Sequence, residues 1–410
     1  MKSMQPLNHN DSKGYISSSI LTGSYIIIVN AFIWYIYGIA ALRRLIINTA
    51  ISGDYITELM FCTFSFSGMV LSIVTGALIV NRFINRKFLL LNWTIIGILS
   101  SITMPILSYT TKESIFALAF LMGFSFGFGL PSALAQLAEA TRDDNRAKMG
   151  AMITISMLLG NVIAYLMITD DLILNTSILT LWRSLGLTGI IPLWNKKEQN
   201  KRSTVAYSRK NVFNYFISWL IFSSINYFGL SISYQIYGYD FVNFSAAFEY
   251  LISGVSALLS GLIADRFGRK KIVLAGFILL GSGYAILGMF PFNLYAWYLH
   301  TVIDGITWGI LCVIFWFTIW GDLAGEGPGE IYYVLGLLPY ALSAFLRAVF
   351  GSWVAEFVSP YTVFSFVAFL LFLAVIPLMY APETLPESII RERELRHYIE
   401  KAKRIREKFT

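Results

Sequence analysis

Long apolar stretches separated by short polar segments recur along the whole chain. Each stretch is about 20 residues or longer, which is the length that a helix needs to cross roughly 30 Å of hydrocarbon. The pattern therefore predicts an all-α integral membrane protein with twelve transmembrane helices. The predicted helices are residues 16–37, 56–80, 88–109, 114–138, 149–168, 173–194, 212–234, 241–264, 272–290, 294–320, 331–354 and 361–379.

The composition agrees with this pattern and excludes a soluble domain. Of the 410 residues, 56% are hydrophobic and 13% are charged, and the mean hydropathy is +0.64. Residues 1–14 are polar and contain no apolar core. We therefore expect no cleavable signal peptide, and the first apolar stretch is interpreted as helix 1.

Basic residues predict the orientation, because Lys and Arg resist translocation across a membrane. With both termini inside, the predicted inner segments hold 26 of the 31 Lys and Arg residues. The chain is therefore predicted to be a multi-pass protein of the cell membrane with both termini in the cytoplasm. This topology and the anionic inner leaflet of the lipid bilayer explain the net charge of +7, so no nucleic-acid partner is expected.

The sequence contains none of the usual catalytic or cofactor motifs. Its two cysteines, Cys62 and Cys312, lie in separate apolar stretches and indicate neither a disulfide framework nor a metal site. Phosphate-binding glycine loops, nucleophile constellations and metal-ligand clusters are absent from the sequence. We therefore expect no enzymatic activity, no cofactor and no metal.

A short charged turn separates predicted helices 8 and 9. It reads Gly261-Leu-Ile-Ala-Asp265-Arg266-Phe-Gly268-Arg269-Lys270-Lys271. Gly261 leaves room for a neighbouring helix, Gly268 permits a tight reversal, and the four cations favour the cytoplasmic side. The pattern resembles the signature loop of the major facilitator superfamily, and an ordinary basic loop between two helices is the alternative.

The resemblance implies that the loop has a gating role. In the superfamily the aspartate lies against the amino-terminal dipole of a helix from the same half and pairs with the arginine, which holds one conformation. Asp265 and Arg269 occupy those positions, so we expect them to form such a latch.

Three other segments extend the resemblance. Residues 81–87 resemble a degraded signature loop, with Asn81 in place of the aspartate and Asn85 in place of the second arginine, so the first half is expected to lack the charged latch. Glu139 and Arg146, separated by six residues, resemble the end of helix 4 in sugar porters and related metabolite symporters, and are added to the predicted gating residues. Residues 381–384 resemble the sugar-porter tail.

The chain also shows an internal duplication. Asn81 and Asp265 are 184 residues apart, and Glu139 and Asp322 are 183 residues apart, which predicts two six-helix halves. The predicted domains are a cytoplasmic amino terminus (1–15), an amino-terminal bundle (16–194), a cytoplasmic linker (195–211), a carboxy-terminal bundle (212–380) and a cytoplasmic tail helix (381–410).

Ionisable residues within the apolar stretches are functional candidates, because charges in hydrocarbon cost several kcal/mol unless they are paired or hydrated. Asp304 lies about 15 Å from the outer end of helix 10, and Arg347 lies about 24 Å from the inner end of helix 11. Since their depths overlap, the two are interpreted either as a structural ion pair or as a proton-coupling site that His300 would extend. Glu249 is interpreted as an outer-interface residue.

Polar and aromatic residues on helices 1, 7 and 10 are the predicted substrate site, since these helices line the central cavity in the superfamily that the chain resembles. Asn30 lies near mid-depth, and it either lines a substrate path or bonds a neighbouring helix. The candidates are Asn30, Trp34, Asn226, Tyr227, Gln235 and Trp308.

The pattern is most similar to the sugar-porter and metabolite–proton symporter branch of the superfamily. The resemblance implies a monomeric secondary transporter that moves a small-molecule substrate, either a sugar or an organic-acid-like metabolite, by alternating access and symport with protons. Two alternatives stay open. Proton-coupled efflux of amphipathic compounds is favoured by an aromatic content of 16%. A transporter-like sensor that does not transport is the other.

Overall fold

The computed structural model describes residues 18–48, 55–108, 112–194, 209–325 and 327–409. Every regular element within these residues is helical, which confirms the predicted all-α fold class. The predicted amino terminus (1–15) and residues 195–208 of the predicted linker lie outside the described residues.

Eight helices make up the described part of the first half. They are α1 (Ser18–Asn48), α2 (Tyr55–Arg82), α3 (Arg86–Ser108), α4 (Lys112–Gly127), α5 (Leu130–Ala140), α6 (Arg146–Met167), α7 (Leu172–Leu185) and α8 (Ile190–Trp194). Two crossings are interrupted. A short break separates α4 from α5, and a 3-10 turn, Gly186–Gly189, joins α7 to α8.

Eight further helices follow in the second half and the tail. They are α9 (Arg209–Ile225), α10 (Phe228–Phe267), α11 (Arg269–Met289), α12 (Leu294–Leu311), α13 (Ile319–Ala324), α14 (Gly329–Phe357), α15 (Pro360–Tyr380) and α16 (Glu387–Phe409). A π-helical segment, Cys312–Thr318, joins α12 to α13. The predicted tail helix is α16.

The helices account for twelve membrane crossings. Ten stretches are long and apolar enough to span a membrane, and one of them, Arg209–Phe267, has 59 residues. A straight helix of that length would extend about 88 Å, nearly three times the hydrocarbon thickness. It divides at Gly238, whose φ of 78° is not helical. With this stretch counted twice, and with α7 and α8 as one crossing, the predicted number is confirmed.

The first helix is longer than the sequence pattern predicts. The apolar stretch was bounded at residue 37 because Arg43 and Arg44 favour a loop, but α1 continues to Asn48. Arg43 pairs with Glu58 at 2.6 Å and Arg44 with Asp170 at 2.6 Å. These partners on other helices satisfy the charges, so the two arginines extend α1 beyond its apolar core.

The two halves pack together along two surfaces. In one, α6 contacts α10 and the π segment, and in the other α2 contacts α14. Gly261 on α10 permits the first contact, because a Cβ at this position would lie 2.6 Å from Ala151 Cβ and 2.8 Å from the Ala147 carbonyl oxygen. A side chain at residue 261 would therefore push α10 away from α6.

Candidate functional site

Asp265, at the end of α10, joins the second half to the first. It accepts hydrogen bonds from the backbone N–H groups of Ala147 at 3.1 Å and Lys148 at 2.8 Å. Both groups lie in the first turn of α6, where the helix dipole favours a negative charge. The prediction that the aspartate lies against a helix of its own half is wrong, because the close approach at Gly261 brings the carboxylate across the interface.

Asp322 is the centre of a buried charge cluster at the same end of the bundle. Its carboxylate accepts hydrogen bonds from Arg146 of the first half and from Arg269 of the second. Thr384 donates a third, at 2.9 Å. Arg269 also contacts Asp265 at 3.4 Å. These buried charges therefore compensate one another across the interface between the halves.

The first half has its own charged latch, which the sequence analysis missed. Arg86 binds Glu139 of the same half at 2.7 Å and Glu330 of the second half at 2.6 Å. Glu330 lies in the first turn of α14 and is 2% exposed. Asn81 instead donates to the carbonyl of Ala77 on its own helix. The prediction that this half lacks a charged latch is wrong, since Arg86 takes the place that was assigned to Asn85.

The segment after α15 supports the second-half loop. Glu383 accepts hydrogen bonds from the backbone N–H groups of Arg269 at 2.8 Å and Lys270 at 3.1 Å, and so caps the start of α11. Gly268 has a φ of 106°, and a Cβ there would lie 2.5 Å from Glu383 Oε2. Glycine is therefore required at residue 268 both for the backbone conformation and for this contact.

We call the end of the bundle that carries these groups the latch face. It brings together most of the predicted gating residues. Glu139 and Arg146 both belong to it but bind different partners, while Arg266 is exposed and lies over the Phe267 ring at 5.2 Å. The latch face consists of Arg86, Glu139, Arg146, Asp265, Arg269, Asp322, Glu330, Glu383 and Thr384.

A cavity of about 270 Å³ lies between the two halves. Along α12 and the π segment its lining extends from Trp297, close to the start of α12, to Trp316. Asp322 follows Trp316 by six residues, or about 9 Å of helix. The cavity therefore ends above the latch face and extends toward the opposite face of the bundle.

The helices around the cavity depart from regular α geometry at its level. Asn226 and Tyr227 line it from the break between α9 and α10, and Cys312 and Trp316 line it from the π segment. Such breaks are typical of binding sites in membrane bundles, because they turn side chains and backbone groups toward the interior.

Carboxyl groups and aromatic rings dominate the chemistry of the cavity. Asp304 and Glu249 both line it, and both belong to the second half. Glu249 is therefore not an outer-interface residue as predicted; the packing of Gly305 against the Glu249 backbone brings it level with Asp304. His300 also lines the cavity, one turn from Asp304.

The predicted pair of Asp304 and Arg347 is not formed. Among the residues that the structure describes, these two make no ion pair with each other. The Arg347 guanidinium carbon lies 5.5 Å from the centre of the Tyr227 ring, and Arg347 is not part of the cavity lining. Similar depth in the membrane does not bring the two side chains together, since they leave their helices in different directions.

Three of the six predicted substrate residues line the cavity, namely Asn226, Tyr227 and Trp308. Gln235 is exposed and does not. On helix α10 the lining residues include Leu230 and Ser233. Gln235 is two residues beyond Ser233, which turns its side chain by about 200° to the other face of the helix.

Asn30 and Trp34 lie on the face of α1 that points away from the cavity, whereas Phe32 and Ile36 line it. Asn30 Oδ1 accepts a hydrogen bond from Arg183 at 3.0 Å. Trp34 is fully buried, and its ring lies 5.2 Å from the same guanidinium. Of the two roles predicted for Asn30, the structure therefore shows a bond to a neighbouring helix.

A family model described as Major Facilitator Superfamily matches residues 19–334 of the chain. The chain belongs to the major facilitator superfamily. It is therefore a multi-pass membrane protein of a transporter family, as the signature loop at Gly261–Lys271 predicted. The twelve-helix fold that was expected from this resemblance is confirmed.

Solved structures of superfamily members share the fold. The proton:xylose symporter XylE bound to 6-bromo-6-deoxy-D-glucose is 14% identical, with a TM-score of 0.69 over 90% of this chain and 97% of that one. A double tryptophan mutant of XylE is 15% identical, with a TM-score of 0.66 over 93% and 99%. The human organic anion transporter MFSD10 (TETRAN) is 14% identical, with a TM-score of 0.63 over 88% and 99%. No curated protein matches the sequence.

Proposed function

We propose that this superfamily member is a secondary transporter of the cell membrane that carries a small organic solute by alternating access. The observation that supports this function best is the nature of the contact between the halves beside the cavity. At the latch face the halves are joined by ion pairs and helix-capping hydrogen bonds. Charged groups are rehydrated when such a contact separates, so the interface can open without exposing an apolar core.

The proposed orientation places the latch face in the cytoplasm, along with both termini. The support for it is the concentration of Lys and Arg in the segments predicted to lie on that side. In this orientation the structure represents a state that is closed toward the cytoplasm, with the cavity directed outward. Opening the latch face and closing the opposite face would give the other state.

Proton coupling is the second part of the proposal. Asp304 and Glu249 face a cavity that alternating access would connect to one side of the membrane and then to the other. A carboxyl group in such a position takes up a proton from one side and releases it to the other. The resemblance to sugar porters and metabolite symporters favours symport of a sugar or organic-acid-like metabolite.

Transport is tested by counterflow in proteoliposomes. Solutes that raise the thermal unfolding temperature of the purified protein are selected from sugars, organic acids, amino acids and organic amines. Vesicles loaded with the unlabelled solute should then transiently accumulate the labelled one. Binding without counterflow would favour the alternative of a transporter-like sensor.

Efflux of amphipathic compounds by exchange for protons is a second candidate, supported by the aromatic lining of the cavity. Nine of the described lining residues are Phe, Tyr or Trp. The direction of an imposed pH gradient distinguishes the two functions. Symport predicts that labelled solute accumulates in vesicles when the outside is acidic, whereas exchange for protons predicts accumulation when the inside is acidic.

A further inference from the structure

We infer that the solute carried in this cavity is an organic cation with an aromatic or apolar body. The inference rests on the proposed transport function and specifies its substrate class. It departs from the sugar or organic acid that the sequence resemblance implies, and it is based on the side chains that the structure places around the cavity.

The charges that line the cavity have one sign. Glu249 and Asp304 contribute two carboxyl groups, and none of the described lining residues is Lys or Arg. The nearest cation described is Arg347, which lies over the Tyr227 ring outside the lining. An anionic solute would therefore meet two carboxyls with no lining cation to offset them, whereas a cation would complement them.

Polar atoms without partners point to a ligand in the same place. Asp304 Oδ1, Asn226 Oδ1 and His300 Nε2 are buried and form no hydrogen bond within the described residues. Asn226 is 7% exposed and His300 is 8% exposed, and all three residues line the cavity. Buried polar atoms are normally paired, so a solute with hydrogen-bond donors would satisfy the two oxygens.

Aromatic rings complete a site for an organic cation. Tyr227 and Trp308 lie 6.2 Å apart, Trp308 and Tyr340 6.0 Å, and Trp316 and Tyr340 4.7 Å, between ring centres. Phe32 of the first half stacks on Trp316 at 5.6 Å. These rings separate the carboxyl groups from the latch face. The negative faces of aromatic rings attract cations, and their area accommodates an apolar body.

The test uses three probes of one shape and different charge. N-methylphenylpyridinium is a permanent cation, phenylpyridine is uncharged in mildly alkaline buffer, and phenylbenzoate is an anion. Binding to the purified full-length protein is measured by calorimetry, with D-xylose and D-glucose as further neutral probes. We expect the cation to bind at least about tenfold more tightly than the other probes, since one unpaired charge contact contributes this much even when partly hydrated.

Variants identify the groups that are responsible. Glu249→Gln and Asp304→Asn should each weaken binding of the cation about tenfold or more and leave phenylpyridine binding nearly unchanged. Glu356→Gln is the matched control, because this carboxyl is exposed near the end of α14 and does not line the cavity. Thermal unfolding of each variant checks its fold, and the comparison of probes on the unmodified protein needs no variant.

The inference is overturned if the cation does not bind, if the anion or a sugar binds more tightly, or if neither carboxyl variant weakens cation binding. Because binding is measured in detergent solution, the result is independent of transport. Cation binding with failed counterflow would refute the transport function and leave the substrate class standing. Counterflow of a sugar or an anion, but not of the cation, would do the reverse.

Discussion

Glu330→Gln tests whether the first half contributes a latch of its own. Glu330 is the second-half partner of Arg86, and the substitution removes its charge while keeping its size. Arg86 keeps its contact with Glu139 in the variant. The substitution therefore weakens a contact between the halves with little change within either half, and it should favour the state that is open at the latch face.

The expected shift follows from the burial and geometry of the pair. Glu330 is 2% exposed, and it accepts from Arg86 Nη2 at 2.6 Å and Nε at 2.8 Å. A buried hydrogen bond to a charged group contributes about 1.5–3 kcal/mol. Since every 1.4 kcal/mol is a factor of ten, the equilibrium between the two states should shift about 10- to 150-fold toward the open latch face.

Distances between spin labels on the two loops of the latch face measure this equilibrium. Phe83 and Phe267 are exposed, follow or end α2 and α10, and are suitable for Phe83→Cys and Phe267→Cys. The background is Cys62→Ala with Cys312→Ala, which leaves no other cysteine in the chain. The variant should increase the population at long distance, and Glu356→Gln, at the opposite end of α14, should not.

An unchanged distance distribution would refute the role of Arg86 and Glu330, provided that Asp265→Asn does change it. The second-half loop alone would then hold the closed state. If neither substitution changes the distribution, charged contacts at the latch face do not set the equilibrium, and the apolar packing of α6 on α10 must do so.

Three further predictions follow from the latch face and the cavity. Asp265→Ala should reduce counterflow more than Asn81→Ala at equal expression, because Asp265 caps a helix of the other half and Asn81 bonds its own helix. Gly268→Ala should lower the thermal unfolding temperature more than Gly238→Ala: both positions have positive φ, which costs about 1–2 kcal/mol for alanine, but only Gly268 also contacts a side chain. Asp304→Asn should abolish solute uptake driven by a pH gradient yet preserve counterflow, and uptake that survives would remove Asp304 from proton coupling.

The fold could be predicted from the sequence because the bilayer imposes a single requirement on every crossing. A helix through hydrocarbon must satisfy its own backbone and must be apolar for about 20 residues, and both requirements are visible along the chain. Prediction was weaker where side chains on other helices decide. Arg43 and Arg44 extend α1 because Glu58 and Asp170 receive them, and the local pattern does not contain these partners.

The site was predicted in part for the same reason. The loop at Gly261–Lys271 carries a local pattern, so Asp265 and Arg269 were found, but the partner of Arg86 lies 244 residues away. A signal was present, since Arg86 precedes Arg269 by the same 183 residues that separate Glu139 from Asp322. Strict alignment of the loops at an offset of 184 concealed it.

That offset describes an equivalence that the structure shows directly. Arg86 binds Glu139 within the first half, and Arg269 binds Asp322 within the second. Each pair joins a loop arginine to an acid at the end of the helix that packs beside it. Because neither pair crosses the interface, both remain formed when the halves separate, and the energy of these contacts does not oppose opening.

Opening therefore separates a smaller set of charges than the buried cluster suggests. Glu330 loses Arg86, Arg146 loses Asp322, and Asp265 leaves the start of α6. Arg146 keeps Asp143 at 3.1 Å, and each separated group then faces water at the end of the bundle. If all the buried pairs had to break, at about 3–5 kcal/mol each, the open state would be too rare for a bound solute or proton to populate. Division of the charges into pairs within each half and contacts between the halves keeps the difference within the range that ligand binding can shift.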